Sequence, residues 1–168
     1  MSKPRIYAAG PITGQSYKGA TDWYDALRTG IPEAEIVVPM RGKDWAKRVK
    51  KFKCEDYKED FRLTDLNAAV SSDNGIYSRD IWDVRRADLL FANLIGGDEA
   101  KKVSLGTVCE ITAAQIFGNL SVVVSLKNGM HDHPFIRQAA WVFVHDFNDG
   151  ITAARIALNL PESVDLVG

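Results

Sequence analysis

Short apolar runs recur along this chain, and between them apolar positions fall at helical spacing. Arg5-Ile-Tyr-Ala-Ala9 reads as a first strand, ended by Gly10-Pro11. Residues 17–29 place Trp23, Ala26 and Leu27 at i, i+3 and i+4, which predicts a helix. Glu35-Ile-Val-Val-Pro39 reads as a second strand closed by its proline, and residues 80–87 as a short helix. A third strand is expected over 88–94, a helix over 107–118 ended by Gly118, and a fourth strand over 120–126. Residues 134–140 predict a helical turn, 141–145 a fifth strand, and 149–160 a closing helix that stops before Pro161. Leu89-Leu-Phe-Ala92 and Val122-Val-Val124 are apolar on both faces, as strands covered on both sides must be. Alternating strands and helices predict an α/β fold with a mostly parallel five-stranded sheet and helices on both faces.

One stretch fits this rhythm poorly. Between Arg41 and Lys53 lie seven basic residues with Asp44 the only acid among them, and Glu55, Asp56, Glu59 and Asp60 follow. The pattern reads first as a solvated, charge-paired helix, with Lys51 and Glu55 at i, i+4 spacing. Trp45, Phe52, Tyr57 and Phe61 suggest that one side packs on something, and a flap over a site is a second reading. Residues 64–76, with Ser71-Ser-Asp-Asn-Gly75, read as a loop. The expected organisation is one domain over 1–168 with a charged insertion near 41–78.

Composition changes this picture little. A chain of 168 residues buries roughly 70% of its unfolded surface, enough for a core without staples. A formal net charge of −1 implies no global pull toward a nucleic-acid polymer or a membrane, and no apolar run approaches the roughly 20 residues that span a bilayer. The start, Met-Ser-Lys-Pro-Arg, leads straight into a strand rather than a signal-type apolar stretch. Cys54 and Cys109 show no paired spacing, so two free thiols and a cytoplasmic location are expected.

The chemistry concentrates after the third strand. Ser104-Leu-Gly-Thr-Val-Cys-Glu110 is a polar glycine loop leading into a helix with an acid near its start. Amides at a helix N-terminus suit an oxyanion or sugar, and a glutamate there can attack an electrophilic carbon. Thr107-x-x-Glu110 equally fits a capping box, in which the acid merely serves the helix end. Asp80 can be a helix N-cap or a functional acid, and Tyr7 a core residue or a site residue. His131-Asp-His133 has the look of a metal pair, but no further ligands accompany it, and a turn before helix-starting Pro134 reads better. Cys109 reads as a packed thiol, since no histidine is near it in sequence. Ligands of open α/β sheets bind beyond the carboxyl ends of the strands. Gly10-Pro-Ile-Thr-Gly14, Pro39-Met-Arg-Gly-Lys43, the Ser104–Glu110 stretch and Asn128-Gly-Met130 should therefore converge.

Taken in order, Tyr7, Ala9-Gly10-Pro-Ile-Thr13, Arg79-Asp80, Ala87-Asp88, Ser104-Leu-Gly-Thr-Val-Cys-Glu110 and Asn128-Gly-Met130 resemble the nucleoside 2-deoxyribosyltransferase family. Its phage and bacterial branches are also similar at Pro39–Lys43 and His131–Pro134. The resemblance implies a flavodoxin-like, doubly wound sheet and a base exchange on 2′-deoxyribose through a covalent glycosyl-glutamate. It implies catalytic roles for Glu110 as nucleophile, Asp80 as the acid that manages the base proton, and Tyr7 as the residue orienting the nucleophile. It implies substrate contacts at Gly10, Pro11, Ile12, Thr13, Arg41, Ser104, Gly106, Asn128 and Met130. Asn128 and Met130 fall where the family completes a neighbouring subunit's site, so a homo-oligomer with shared sites follows. The implied partners are a nucleoside or nucleotide and a free nucleobase; no cofactor and no metal are implied.

The chain departs from free-nucleoside members at Ser104, where they commonly have Asp. A related branch, the glycosidases that hydrolyse nucleoside monophosphates, has serine there but an arginine in the first loop, where this chain has Thr13. Three readings follow: base transfer on a deoxynucleoside or its 5′-monophosphate, hydrolysis of a nucleoside monophosphate, and a nucleotide-binding sensor without turnover. The pair of acids, Glu110 and Asp80, disfavours the sensor, because a binder of an electron-rich phosphate gains little from two carboxylates.

Overall fold

The computed structural model describes residues 3–48, 50–52 and 65–161. Five strands, β1 (Arg5–Ala9), β2 (Glu35–Val37), β3 (Leu89–Asn93), β4 (Leu120–Val124) and β5 (Val142–Val144), form one sheet in the order β2-β1-β3-β4-β5. Every pairing is parallel, with Tyr7 opposite Val37 on one side and Leu90 on the other. This is the flavodoxin-like, doubly wound order, whose switch point lies between β1 and β3.

Helices cover both faces because each central strand alternates two apolar sets. Ile6, Ala8, Leu89, Phe91, Val122 and Val124 pack with residues of α1 (Tyr17–Gly30), such as Leu27, and with Ala154 of the C-terminal helix (Phe147–Ala157). Tyr7, Ala9, Leu90, Ala92 and Val123 point the other way, toward Val84 and Ile111. Those two sit on the helices Asp73–Arg86 and Leu105–Phe117. In chain order the helices after α1 are α2 (Asp65–Val70), α3 (Asp73–Arg86), α4 (Ile95–Glu99), α5 (Leu105–Phe117), α6 (Pro134–Ala139) and α7 (Phe147–Ala157), with a 3₁₀ turn over Asp44–Arg48.

Several boundaries differ from the sequence reading. The expected loop at 64–76 instead contains α2 and the first turn of α3, because Ser72 Oγ accepts the Gly75 amide at 3.0 Å and starts a 14-residue helix. Asp80 therefore lies in the middle of α3, and its N-cap reading is excluded. The last helix begins at Phe147 rather than 149, since Asp146 caps it through the amides of Asn148 and Asp149. The short α4 was not expected at all. Gly118, at φ 79°, ends α5 as predicted.

Most of the charged insertion, including the expected Lys51–Glu55 pair, Cys54, Tyr57 and Phe61, lies outside the described residues. Its first part is anchored: Phe52 is buried, donates its amide to Gln15 and accepts the Gly14 amide. No helix among the described residues is long and apolar enough to cross a membrane.

Candidate functional site

The sheet delivers Tyr7 to the α3/α5 face, and α5 brings Glu110 over it. The Tyr7 hydroxyl donates to Glu110 Oε1 at 2.7 Å, across 103 residues of sequence. This contact decides between the two readings of Thr107-x-x-Glu110. Helix α5 starts at Leu105, so Thr107 is its third residue and Glu110 its sixth, beyond reach of the helix end. Ser104 is the cap residue, and its hydroxyl lies 2.9 Å from Thr107 Oγ1 rather than on a backbone amide. Glu110 is spent on Tyr7, not on the helix.

Asp80 enters the same space from α3 and is 7% exposed. Arg79 holds it: Nε and Nη2 donate to Asp80 Oδ1 at 3.1 and 2.9 Å, while Nη2 also donates to the Pro39 carbonyl at 2.6 Å. The other carboxylate oxygen, Oδ2, has no hydrogen bond among the described residues. Lys43, on the turn after β2, is more deeply buried than Asp80, at 4% exposed.

The electrostatics follow from placing few donors around buried acids. Removal from water pushes the Glu110 carboxyl up to about 8; the Tyr7 hydrogen bond opposes this, the Asp80 charge adds to it, and Lys43 opposes it. Burial also raises Asp80, against the pull of Arg79 and Lys43. Burial lowers the Lys43 ammonium to about 8, with the Arg79 charge adding to the effect. Burial, and then the Glu110 charge, lift the Tyr7 phenol well above its ordinary range, so it stays a proton donor to Glu110. Titrating groups displaced in this way by burial and specific partners cluster at reactive sites.

The remaining residues singled out from sequence divide into three sets. Gly10 and Pro11 close the end of β1; a Cβ on Gly10 would sit 2.9 Å from Trp23 and 3.1 Å from the Asn93 carbonyl. Ile12 packs at the core's edge, and Thr13 is exposed. At Gly106 a Cβ would meet nothing within 4 Å, so the first turn of α5 opens onto free space. Asn128, at φ 60°, and half-exposed Met130 project from the loop after β4 without touching Glu110 or Asp80 through any hydrogen bond. Arg41 differs most from expectation. Its Nη1 lies 2.6 Å from Asp83 Oδ2, and Asp83 also takes a bond from Arg5, so its charge is largely matched within the fold.

Of the other candidate ligands, Cys109 is a correction, while the turn read at His131–His133 before helix-starting Pro134 agrees with the structure. Cys109 is exposed, not packed, because its position on α5 faces away from the sheet. His131 and His133 do not act as a pair: His131 is fully buried against Asp98, while His133 caps α6, its Nδ1 accepting the Phe135 amide.

Sequence reasoning missed two groups. One is Asp98, a buried acid in the unexpected α4. The other is Lys102, whose Nζ reaches within 3.7 Å of where a Cβ on Gly14 would stand, placing a cation over the first loop beside Thr13. Among the described residues, surface clefts of about 300, 380 and 390 Å³ lie away from Tyr7, Asp80 and Glu110, none of which lines them. The largely apolar one, about 380 Å³, runs between α5 and α6 beside exposed Phe135.

No protein-family model matches this chain, and no curated protein matches it. Among solved structures it is similar to a conserved protein from Enterococcus faecalis V583, at 16% identity and TM-score 0.50, over 91% of this chain and 88% of that one. It is also similar to a molybdenum cofactor binding protein from the phototrophic bacterium Rippkaea orientalis, at 14% identity and TM-score 0.50, over 95% and 99% of the two chains. At such identities the likeness speaks for the fold alone.

Proposed function

We propose that this chain is a nucleoside 2-deoxyribosyltransferase, with Glu110 as its nucleophile. The observation that carries the reading is the Tyr7–Glu110 hydrogen bond beside Asp80, on an acid that takes no part in capping its helix. In the first half-reaction a Glu110 oxygen bonds to C1′ as the C1′–N bond breaks, and the bond's electron pair leaves on the base. Asp80, raised by burial, delivers a proton to that base through its uncommitted Oδ2. In the second half, a nitrogen of the incoming base bonds to C1′, the ester C1′–O bond breaks, and Asp80 recovers the proton. Tyr7 holds the attacking carboxylate in one orientation, and Arg79 does the same for Asp80. This is the retaining logic of two carboxyl groups, applied to an N-linked base.

The second reading, hydrolysis of a nucleoside 5′-monophosphate, draws its support from Ser104 and Lys102. A serine removes the repulsion that Asp would exert on a phosphate, and Lys102 brings a cation to the loop where that branch has its arginine. We favour transfer, with the monophosphate as an accepted substrate. The exposed apolar surface of Leu105, Met130 and Phe135 supports a second copy of the chain covering the site.

The test is to incubate the protein with a deoxynucleoside or its 5′-monophosphate, with and without a second base, and to separate the products. New nucleoside or nucleotide establishes transfer, free sugar or sugar phosphate alone establishes hydrolysis, and unchanged substrate overturns both in favour of a binding protein.

A further inference from the structure

Asp98 and His131 form a cluster that the proposed chemistry does not use, and both side chains are fully buried. Asp98 Oδ1 lies 2.7 Å from His131 Nδ1 and accepts the His131 amide at 3.0 Å. Its Oδ2 accepts the Ser125 hydroxyl at 2.7 Å and the Leu126 amide at 2.9 Å. On the far side of the ring, the Ser104 amide donates to Nε2 at 2.9 Å. An amide only donates and this carboxylate only accepts, so the proton sits on Nδ1 and Nε2 carries a lone pair. The space for the ring is built by glycines. A Cβ on Gly97 would lie 2.8 Å from the ring, and one on Gly129 would lie 2.4 Å from the Asp98 carboxyl carbon.

This arrangement ties three segments together: α4, the loop after β4 that carries Asn128 and Met130, and the start of α5. Ser104 has no side-chain cap on α5, so the ring bond is the tether at that helix start. We propose that His131 is a positioning residue that fixes the first turn of α5, and with it the line along which Glu110 meets its target. The assignment rests on the reading of Glu110 as nucleophile, but the tether itself does not. The two faces of the ring have separate duties. The Nδ1 face anchors the ring in the fold, and the Nε2 face sets the helix. A shift of about an ångström at a reacting group can cost on the order of 100-fold in rate, so the second duty is visible in turnover.

Two substitutions separate the duties. His131→Gln can place an acceptor oxygen near the Nε2 position and loses the Nδ1 donor. His131→Asn keeps a donor near Nδ1 and loses the acceptor for Ser104. Hydrogen exchange read at Ser104 to Val108, alongside thermal melting, reports the tether without any substrate. The Asn variant is expected to exchange at least tenfold faster there, with the Gln variant close to the wild type, whichever of the two melts lower. Equal exchange in both variants, or exchange that merely follows melting temperature, overturns the tether. In the base-exchange assay the Asn variant is expected to form glycosyl-enzyme about tenfold or more slowly, with the KM for the acceptor base unchanged. Equal rates in the two variants overturn the catalytic part. Absence of turnover in the wild type overturns the transferase reading, while the exchange experiment still decides the tether.

Discussion

Glu110 and Asp98 are both acids inside the same layer of helix and loop beyond the strand ends, yet their surroundings push them in opposite directions. Among the described residues Glu110 has one donor, the Tyr7 hydroxyl, and its carboxyl rises to about 8. Asp98 also suffers desolvation, but donors from Ser125, His131 and two backbone amides outweigh it and hold the carboxyl below the usual range. Burial alone therefore says little about what an acid does; the count of donors decides. An acid with every lone pair engaged is a fixed point of the structure. An acid left short of donors is unstable as an anion and ready to bond to something else. The fold spends its hydrogen bonds on Asp98 and withholds them from Glu110.

Removing each acid tests this contrast most strongly. Glu110→Gln is expected to lower turnover by about 10⁴-fold or more in the base-exchange assay. It is also expected to stabilise the protein. An acid whose folded value is about 8 against an ordinary 4.5 makes the fold lose stability as pH rises between those values. The variant's gain should thus be absent near pH 4 and grow to on the order of 2 kcal/mol above pH 8. Wild-type-like activity in a folded variant removes Glu110 from the chemistry. Asp80→Asn should follow at about 10²–10⁴-fold, with ordinary purines slowed more than bases activated by electron withdrawal. An equal loss for all bases points to positioning alone.

Asp98→Ala should show the opposite profile. It strands four donors in the interior, each costing about 1–3 kcal/mol when left unpaired, so a loss of about 3–5 kcal/mol is expected in urea unfolding at pH 7. Because the folded Asp98 value is depressed, its contribution is present above the ordinary 3.8 and is lost as pH falls through the folded value. The gap between variant and wild type should therefore close in acid. A variant that melts like the wild type at pH 7 would show that the cluster is not the fixed point described.

How far these roles were legible in sequence follows from the range of the interactions. The strands and α5 are plain in the pattern because burial on both faces and a terminal glycine leave local marks. Of helix α3 only the second half, read as a helix over 80–87, is plain; its start is not, because Ser71-Ser-Asp-Asn-Gly75 has the composition of a loop and only the Ser72 cap turns it into a helix. The Tyr7–Glu110 pair spans 103 residues, which no spacing rule reaches; the two residues stood together beforehand only through family resemblance. Asp98 was invisible for a similar reason. In Ile-Gly-Gly-Asp-Glu it looks like a surface turn, and its partner is 33 residues away. Lys43 was expected near the site as the end of Pro39–Lys43, but nothing in a run of lysines tells which one the fold buries.

Donor count can be reduced further at Glu110 without touching the acid. Tyr7→Phe keeps the ring in the sheet and deletes the hydroxyl that, among the described residues, favours the carboxylate. If Glu110 is the nucleophile proposed above, it must be ionised, so kcat/KM falls on the acid side of its value, near pH 8 in the wild type. Losing the donor raises that value, and the acid limb should move to higher pH. A displacement of about one unit means about tenfold less activity at pH 7, with the plateau at high pH reduced far less. A uniform loss at every pH would assign Tyr7 to orientation only.

The smallest expected effect separates charge from hydrogen bonding. Asp98 gains its depression from donors alone, whereas Glu110 and Asp80 also feel the buried Lys43 ammonium, which lowers both. Lys43→Met keeps the length and apolar stem and removes the charge. The groups facing Glu110 are then Tyr7 from β1 and Asp80 from α3, and those facing Asp80 include Arg79 and Asp83. With one cation gone, both acids hold their protons more tightly, so the acid limb of kcat/KM should again move up, by less than about one unit because no hydrogen bond is lost. Lys43 is buried, so the wild-type acid limb is expected to move with added salt less than that of an exposed pair would. The variant should also be slightly more stable at neutral pH, since it no longer buries a cation whose folded value lies below its ordinary one. The two measurements must agree in sign. An acid limb that stays in place while stability rises would mean that Lys43 is merely a buried charge the fold tolerates. A limb displaced as far as in Tyr7→Phe would mean that at this site long-range charge counts for as much as a direct hydrogen bond.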